Sequence, residues 1–334
     1  MKAPDFWWDR SPGIIARLML PIGAVYGALT ALRMARKGAR ATVPVLCIGN
    51  FTAGGAGKTP TALALAEALR ARGETPVFLT RGYGGTVTGV ARVDPATHDA
   101  RTVGDEALLL ARLAPTIVAA DRVAGAQAAC EAGASVIVMD DGLQNPAIAK
   151  DCVIAVVDGG AGFGNGLCIP AGPLRAPLAG QAGFADAILS IGMGKGTTEA
   201  VSLAKSAGKP VFRANFSVSD TIADRIGGER VLAYAGIGRP QKFFETLIGL
   251  YAKIEGAQPF ADHHAYTEAD ARGLLDTARA RGLMLVTTEK DLVRLAGSPV
   301  LEELAAASLA VPIRLTLPDE LIALVMAKLS AARR

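Results

Sequence analysis

Residues 45–60, VLCIGNFTAGGAGKTP, constrain the fold more than any other stretch of this chain. The apolar run Val45 to Ile48 enters a turn holding Gly49, Gly54, Gly55 and Gly57, and Lys58-Thr59-Pro60 then opens a helix that continues TALALAEALRARG. Strand, glycine-rich turn and helix start, in that order, make a P-loop. Glycines let backbone N–H groups turn inward around phosphate oxygens, and the helix N-terminus adds its positive end. Lys58 reaches the β and γ phosphates of ATP, and Thr59 offers its hydroxyl to Mg2+. The nucleotide-binding candidates are therefore Thr52, Gly54, Gly55, Ala56, Gly57, Lys58 and Thr59. Thr52 replaces the usual first glycine of GxxxxGK[ST], but the three glycines after it keep the backbone freedom the loop needs.

A P-loop belongs on a parallel sheet, and the rest of the chain supplies one. Short apolar runs at Val45–Ile48, Val77–Leu79, Ile117–Ala119, Val136–Met139, Val153–Val157, Ile188–Leu189 and Val211–Phe212 alternate with helical stretches, including Pro60–Arg72 and Asp105–Leu113. Continuous apolar strands separated by helices indicate a sheet covered on both faces. A second series comes after them, with strands expected at Val231–Ala235, Leu283–Val286 and Ile313–Leu315. At 334 residues a single core usually stops growing. The expectation is α/β: a P-loop NTPase-like parallel-sheet domain at 43–216, a smaller second α/β domain at 217–334 with the polar stretch Ser217–Glu229 as the seam, and an N-terminal helical segment at 1–42 that associates with a membrane.

Charge singles out that N-terminal segment. Residues 1–42 hold seven Lys/Arg against Asp5 and Asp9, a local excess of +5, and the remaining chain sums to −1. A nucleic-acid partner is not expected, because it needs a basic stripe on the body of the protein. From Ile14 to Leu32 the sequence is almost wholly apolar, interrupted by Arg17 and Pro21 and succeeded by Arg33, Arg36, Lys37 and Arg40. A secretory signal is set aside, since the nucleotide-binding pattern beginning at Val45 needs cytosolic ATP. A spanning helix needs about 20 apolar residues, and this run is barely long enough. An interfacial helix would use Trp7, Trp8, Arg10 and Arg17 at one end and the basic cluster at the other to sit among anionic headgroups. A helix packed on the protein's own core is the competing reading. The four cysteines include no CxxC pair and read as reduced core residues, so no zinc site is expected.

A kinase site needs a metal-linked carboxylate and a group that deprotonates the acceptor. Val136-Ile137-Val138-Met139 runs into Asp140-Asp141, an apolar strand ending in acid as in a Walker B motif, which makes Asp141 and Asp140 the metal candidates beside Thr59. Asp105 opens the helix ALLLARL and, taken alone, reads as an N-cap rather than as a base. Two of the three histidines are adjacent in Phe260-Ala261-Asp262-His263-His264-Ala265-Tyr266, where a carboxylate beside a histidine suits proton transfer and a solvated turn is the alternative. His98 sits in a polar loop and reads as incidental.

Taken together these stretches resemble one family, the tetraacyldisaccharide 4′-kinases that phosphorylate lipid A precursors in Gram-negative bacteria. Besides the P-loop, the resemblance is carried by Thr80-Arg81-Gly82-Tyr83-Gly84-Gly85, Val103-Gly104-Asp105-Glu106, Asp140-Asp141-Gly142-Leu143-Gln144, Pro170-Ala171-Gly172-Pro173-Leu174-Arg175, Gly236-Ile237-Gly238-Arg239-Pro240 with Phe243-Phe244, Asp262-His263-His264 and Thr287-Thr288-Glu289-Lys290-Asp291. These run in order over nearly the whole chain. Thr52 resembles the family's own form of the P-loop, whereas Ala261 departs from it, standing where proline is expected. The resemblance implies transfer of phosphate from ATP, with Mg2+, to the 4′-hydroxyl of a tetraacylated glucosamine disaccharide 1-phosphate. It implies two α/β/α domains with the site between them, on the cytoplasmic face of the bacterial inner membrane. It further implies Asp105 as base with His263, Lys58, Thr59 and Asp141 on phosphate and metal, and Asp140 in support. Arg81 and Arg175 are implied as cations facing phosphate or substrate, with surface salt bridges as the alternative. Glu289-Lys290-Asp291 either stabilises a turn or contacts nucleotide.

Two other classes compete. A membrane-associated P-loop ATPase that switches partners would want a lysine where Ala53 stands, and a non-catalytic membrane adaptor leaves the P-loop and acidic pair without a purpose.

Overall fold

The computed structural model describes residues 3–9 and 11–333. Among the described residues, thirteen strands run in chain order as β1 (Val45–Asn50), β2 (Pro76–Thr80), β3 (Val90–Arg92), β4 (Thr116–Ala119), β5 (Val136–Asp140), β6 (Cys152–Asp158), β7 (Ala187–Ile191), β8 (Val211–Ser217), β9 (Arg230–Ala235), β10 (Lys253–Pro259), β11 (Met284–Thr288), β12 (Ser308–Val311) and β13 (Arg314–Thr316). They form a nine-stranded sheet of order 13-8-7-6-1-5-2-4-3 and a four-stranded sheet of order 10-9-11-12. The large sheet is parallel except at its edges, where β3 and β13 run antiparallel to their neighbours.

β1 lies at the centre of the large sheet and is buried along its whole length. Val45 and Cys47 enter the core on one face, while Leu46 and Ile48 enter the core on the other, as the two-residue period of a strand requires. Between β5 and β6 the chain crosses from one side of β1 to the other. That topological switch opens a crevice beyond the carboxyl ends of the strands, where α/β sheets bind ligands.

The carboxyl-terminal segment departs from the expected division. The strand anticipated near Ile313–Leu315 joins the large sheet, with Leu315 opposite Phe216 of β8, and the helix Asp319–Ala332 returns with it. Leu321, Val325 and Leu329 of that helix pack into the same core as Leu65 and Leu69 of the P-loop helix Lys58–Arg70. The large sheet would otherwise leave β8 as an open edge and this apolar face uncovered. Three strands escape the apolar-run criterion because they are short or half exposed: β3, β10 and β12.

The N-terminal helix Ile14–Met34 buries Ala16, Gly23, Gly27, Thr30 and Met34, and leaves Ile14, Ile15, Leu18, Leu20, Ile22, Val25, Leu29 and Leu32 exposed. Its small residues permit a close approach: a Cβ at Gly23 would lie 2.7 Å from the Cys168 carbonyl oxygen, and one at Gly27 2.7 Å from Cys168 Sγ. Apart from Met34 in its last turn, the helix therefore docks by its smaller side chains and keeps its large apolar ones outward, the reverse of a core helix. Trp7 corrects the expectation for the tryptophans. It is buried, and its indole Nε1 donates to the Pro170 carbonyl at 2.9 Å, so it anchors the segment to the protein. Arg10 lies outside the described residues.

Candidate active site

The P-loop hangs between β1 and the helix that starts at Lys58, with Gly54 and Gly57 both at positive φ. A side chain at Gly57 would also collide with Ile191, its Cβ falling 2.7 Å from Cδ1. No side chain caps this helix start, so its first N–H groups remain free for an anion. Thr52 is held by its backbone: it bridges to Leu174, and its carbonyl accepts from Arg175 Nε at 3.2 Å. Ala53 N–H donates to the Pro173 carbonyl at 2.8 Å, so the 170–175 segment props the loop.

β5 ends beside β1 with Ile48 paired to Asp140. Thr59 Oγ1 donates to Asp140 Oδ2 at 3.0 Å, and among the described residues Asp140 Oδ1 is buried without a hydrogen-bond partner. Burial first, and then the charge of Glu106, push the Asp140 carboxyl above the usual carboxylate range, with Lys58 acting in the opposite sense. Asp141 is arranged differently. Its backbone is left-handed at φ 57, Arg175 grips both its oxygens at 2.7 and 3.0 Å, and Lys58 Nζ lies 3.8 Å from Oδ2. Burial acts to raise its pKa, but Lys58 and Arg175 outweigh it and bring it to about 2. Among the described residues no set of three or more His, Cys, Asp or Glu side chains gathers as a metal cage. Mg2+ is commonly held by one or two carboxylates together with substrate phosphates, and Asp140 beside the Thr59 hydroxyl is a donor set of that kind.

Asp105 and His263 meet across the two sheets, 158 residues apart, with His263 Nδ1 3.0 Å from Asp105 Oδ2. The N-cap of the helix Asp105–Ala111 is Gly104, and Asp105 is its first residue, accepting the Glu106 N–H on Oδ1 at 2.8 Å. Its Oδ2 also accepts from Arg294 Nε at 2.8 Å, and Lys290 Nζ lies 3.9 Å away. Burial works to raise the Asp105 pKa, but the His263 hydrogen bond and the charges of Lys290 and Arg294 override it. The carboxyl is held well below the usual carboxylate range. His263 has a left-handed backbone, φ 56, and its ring meets the Tyr83 ring edge-on at 5.3 Å. Non-glycine residues at such angles cluster in sites whose surroundings over-determine them. His264 turns away to Asp270, at 3.0 Å, and stacks on Phe260.

Arg175 thus joins the P-loop and the acidic turn, while Arg81 is exposed beyond the end of β2. Arg122, Lys242 and Arg294, all near these groups, escaped the sequence reading, while Arg239 and Lys290 were named only within stretches that carry the resemblance. Arg122 is buried, and burial together with the neighbouring Arg81 charge lowers its pKa. Arg239 and Lys242 both contact Asp158 at the end of β6, and Arg239 approaches the Gly55 carbonyl at 3.4 Å. Lys290 pairs with Glu106 at 3.0 Å, which gives the Glu289-Lys290-Asp291 stretch a place beside the acceptor side of the site. Arg294 had one available signal, its spacing of three from Asp291.

This geometry has counterparts in known proteins. The model of the family described as tetraacyldisaccharide-1-P 4′-kinase matches residues 15–330. The tetraacyldisaccharide 4′-kinase of Methylobacterium sp. (strain 4-46) is 53% identical over 334 residues, covering 100% of this chain and 98% of that protein. Its counterpart in Rhodopseudomonas palustris (strain BisA53) is 49% identical over 335 residues, covering 100% of this chain and 97% of the other. A crystal structure of LpxK from Aquifex aeolicus, described as an apo form in complex with ATP, has a TM-score of 0.74 at 24% identity. It covers 95% of this chain and 100% of its own, a likeness of fold. With the match running through the P-loop, the acidic turn and the residues that bring Asp105 to His263, this chain belongs to the tetraacyldisaccharide-1-phosphate 4′-kinase family.

Proposed function

We propose that this chain transfers the γ-phosphoryl group of ATP to the 4′-hydroxyl of a tetraacylated glucosamine disaccharide 1-phosphate, as a monomer at the cytoplasmic face of the inner membrane. The observation that carries the reading is the Asp105–His263 pair, which joins the two sheets beside a P-loop whose helix start is free. In the reaction the 4′-hydroxyl loses its proton, its oxygen bonds to the γ-phosphorus, and the bond from phosphorus to the β,γ-bridging oxygen breaks to release ADP. Both Asp105 oxygens are already engaged, Oδ1 by Glu106 N–H and Oδ2 by His263 and Arg294. Asp105 accordingly fixes the His263 tautomer with Nδ1 as donor, and His263 Nε2 takes the proton.

On the nucleotide side, the loop N–H groups and Lys58 bind the phosphates. Thr59 and Asp140 would hold Mg2+, and the orphaned Asp140 Oδ1 together with the Thr59 hydroxyl fits that task. Asp141, gripped by Arg175, supports them and balances Lys58. When bound, the metal neutralises charge developing on the transferred group. Arg175 and Arg81 serve the substrate side as cations, Arg175 chiefly by holding Asp141. Measuring phosphate transfer from ATP to the glycolipid acceptor against bare ATP hydrolysis tests the reading. Hydrolysis without transfer would favour a partner-switching ATPase, and neither activity would favour an adaptor.

The membrane placement rests on the outward apolar face of the helix Ile14–Met34 and the basic residues after it. Replacing Arg33, Arg36, Lys37 and Arg40 with Gln is expected to weaken sedimentation with anionic vesicles, since each basic residue near such a surface contributes about 1 kcal/mol. Binding by the unaltered protein should fall with added salt. Vesicle binding indifferent to salt and to these residues would overturn the interfacial reading, and carbonate extraction would then reveal a span by leaving the protein in the pellet.

A further inference from the structure

Arg294 lies just after the short helix Glu289–Leu292, and only 5% of its side chain is exposed. Its guanidinium is engaged on every side. Nε donates to Asp105 Oδ2 at 2.8 Å and Nη2 donates to the same oxygen, while Nη1 donates to the Gly236 carbonyl at 2.6 Å and to Asp291 Oδ1 at 2.9 Å. Asp291 is itself fully buried and pinned, accepting from Gly236 N–H at 2.9 Å, Tyr266 Oη at 2.9 Å and Thr288 Oγ1 at 2.6 Å. The plane of the guanidinium is therefore set by the small sheet, and it presents two N–H groups to a carboxylate that belongs to the large one.

The Gly236 carbonyl adds a second link. It accepts from Arg294 Nη1 and also from the His263 backbone N–H at 3.1 Å. One backbone oxygen at the end of β9 thus locates both the guanidinium that holds Asp105 and the histidine that meets Asp105. A buried arginine without a carboxylate would be costly, so its two partners are obligatory. The fork also explains the residue type: lysine carries the charge but has no rigid plane to address two carboxylates and a carbonyl together.

We propose that Arg294 is a positioning residue that assembles the Asp105–His263 pair across the cleft, by holding Asp105 Oδ2 at a place fixed by Asp291 and Gly236. The inference rests on the role assigned above to that pair. Asp105 faces His263, Lys290 and Arg294, Lys290 faces Glu106, and His263 Nε2 faces Asp262 Oδ1 at 3.9 Å. Among these groups Arg294 is the cation that contacts both the pair and its anchor. Removing it makes the pair easier to protonate, because a cation beside the pair disfavours uptake of a proton.

The test uses the full chain with ATP and a tetraacylated glucosamine disaccharide 1-phosphate, comparing Arg294→Met, Arg294→Lys, Asp105→Asn and the double variant Asp105→Asn with Arg294→Met. Arg294→Met is expected to lower kcat about 10²-fold while KM for ATP changes little, the scale of a misplaced catalytic group. Its acid limb in the kcat profile should move to higher pH, a change that general loosening would not produce. Arg294→Lys, which keeps the charge, should hold the acid limb near its original position and recover kcat only in part. The double variant should be no slower than Asp105→Asn alone, because both changes remove the same interaction. Full kcat and an unmoved profile in Arg294→Met, or losses that multiply in the double variant, would overturn the proposal while an impaired Asp105→Asn left the pair reading standing. Normal turnover in Asp105→Asn would overturn both. Thermal unfolding monitors the fold of each variant, and if Arg294→Met does not fold, full kcat in Arg294→Lys refutes the positioning role.

Discussion

Lys58→Ala is expected to lower phosphate transfer by about 10³-fold, the scale for losing a preorganised charge that meets the transferring group. In barrier height that is about 4 kcal/mol. The side chain is mostly buried at the start of the P-loop helix, and its neighbour Asp141 keeps both hydrogen bonds from Arg175 when Lys58 is gone. The helix itself needs nothing from the lysine, since its apolar face is Ala62, Leu65, Ala66 and Leu69. Circular dichroism and thermal unfolding should therefore show a protein close to the original, with transfer lost. A folded Lys58→Ala protein that still transfers phosphate at near-normal rates would remove the P-loop from the mechanism.

Asp105→Asn is expected to cut kcat by at least about 10²-fold, the lower end of what positioned acid–base groups contribute, with little change in affinity for ATP. Asparagine starts a helix about as well as aspartate, and its carbonyl oxygen can still accept the Glu106 N–H. What it loses is charge. His263 Nδ1 no longer faces a carboxylate that fixes its tautomer, and Arg294 and Lys290 lose the anion that they share. Breaking a buried ion pair by neutralising one partner typically costs about 3–5 kcal/mol, so stability on that scale is at stake and kcat must be read well below the unfolding temperature. A residue that only starts the helix would give near-normal turnover in this variant. Gly104 already occupies the N-cap, which leaves Asp105 without that duty.

Legibility in the sequence differs from element to element. β1, the glycine turn and the helix Lys58–Arg70 were legible because strand period, turn chemistry and helix start all act over a few residues and agree with one another. The strands β2, β4, β5, β6 and β7 were legible for a related reason: buried on both faces, they are written as unbroken apolar runs. β3 and β10 lie at sheet edges with half-exposed, mixed residues, so no apolar run announces them. The acidic turn was legible as a pair, but its division of labour was not. Which of Asp140 and Asp141 receives the Thr59 hydroxyl and which receives Arg175 depends on the left-handed turn at Asp141 and on the placement of the 170–175 segment.

By itself, then, the sequence determined the parallel sheet, the phosphate loop, the acidic strand end and the amphiphilic character of the N-terminus, because each is encoded in local period, glycine placement or charge. Tertiary structure decided the rest. It carried the strand that opens at Arg314 and the helix behind it back to the large sheet, where β8 needed a neighbour and Leu65 and Leu69 needed a cover. It turned the small residues of the N-terminal helix inward against Cys168 and the large ones outward, although both lie in one apolar run. Above all it set Asp105 against His263 and Arg294, 158 and 189 residues away. No local period encodes such a meeting, because it is fixed by how the two sheets pack against each other, and the ionic contacts have their strength only where that packing excludes water.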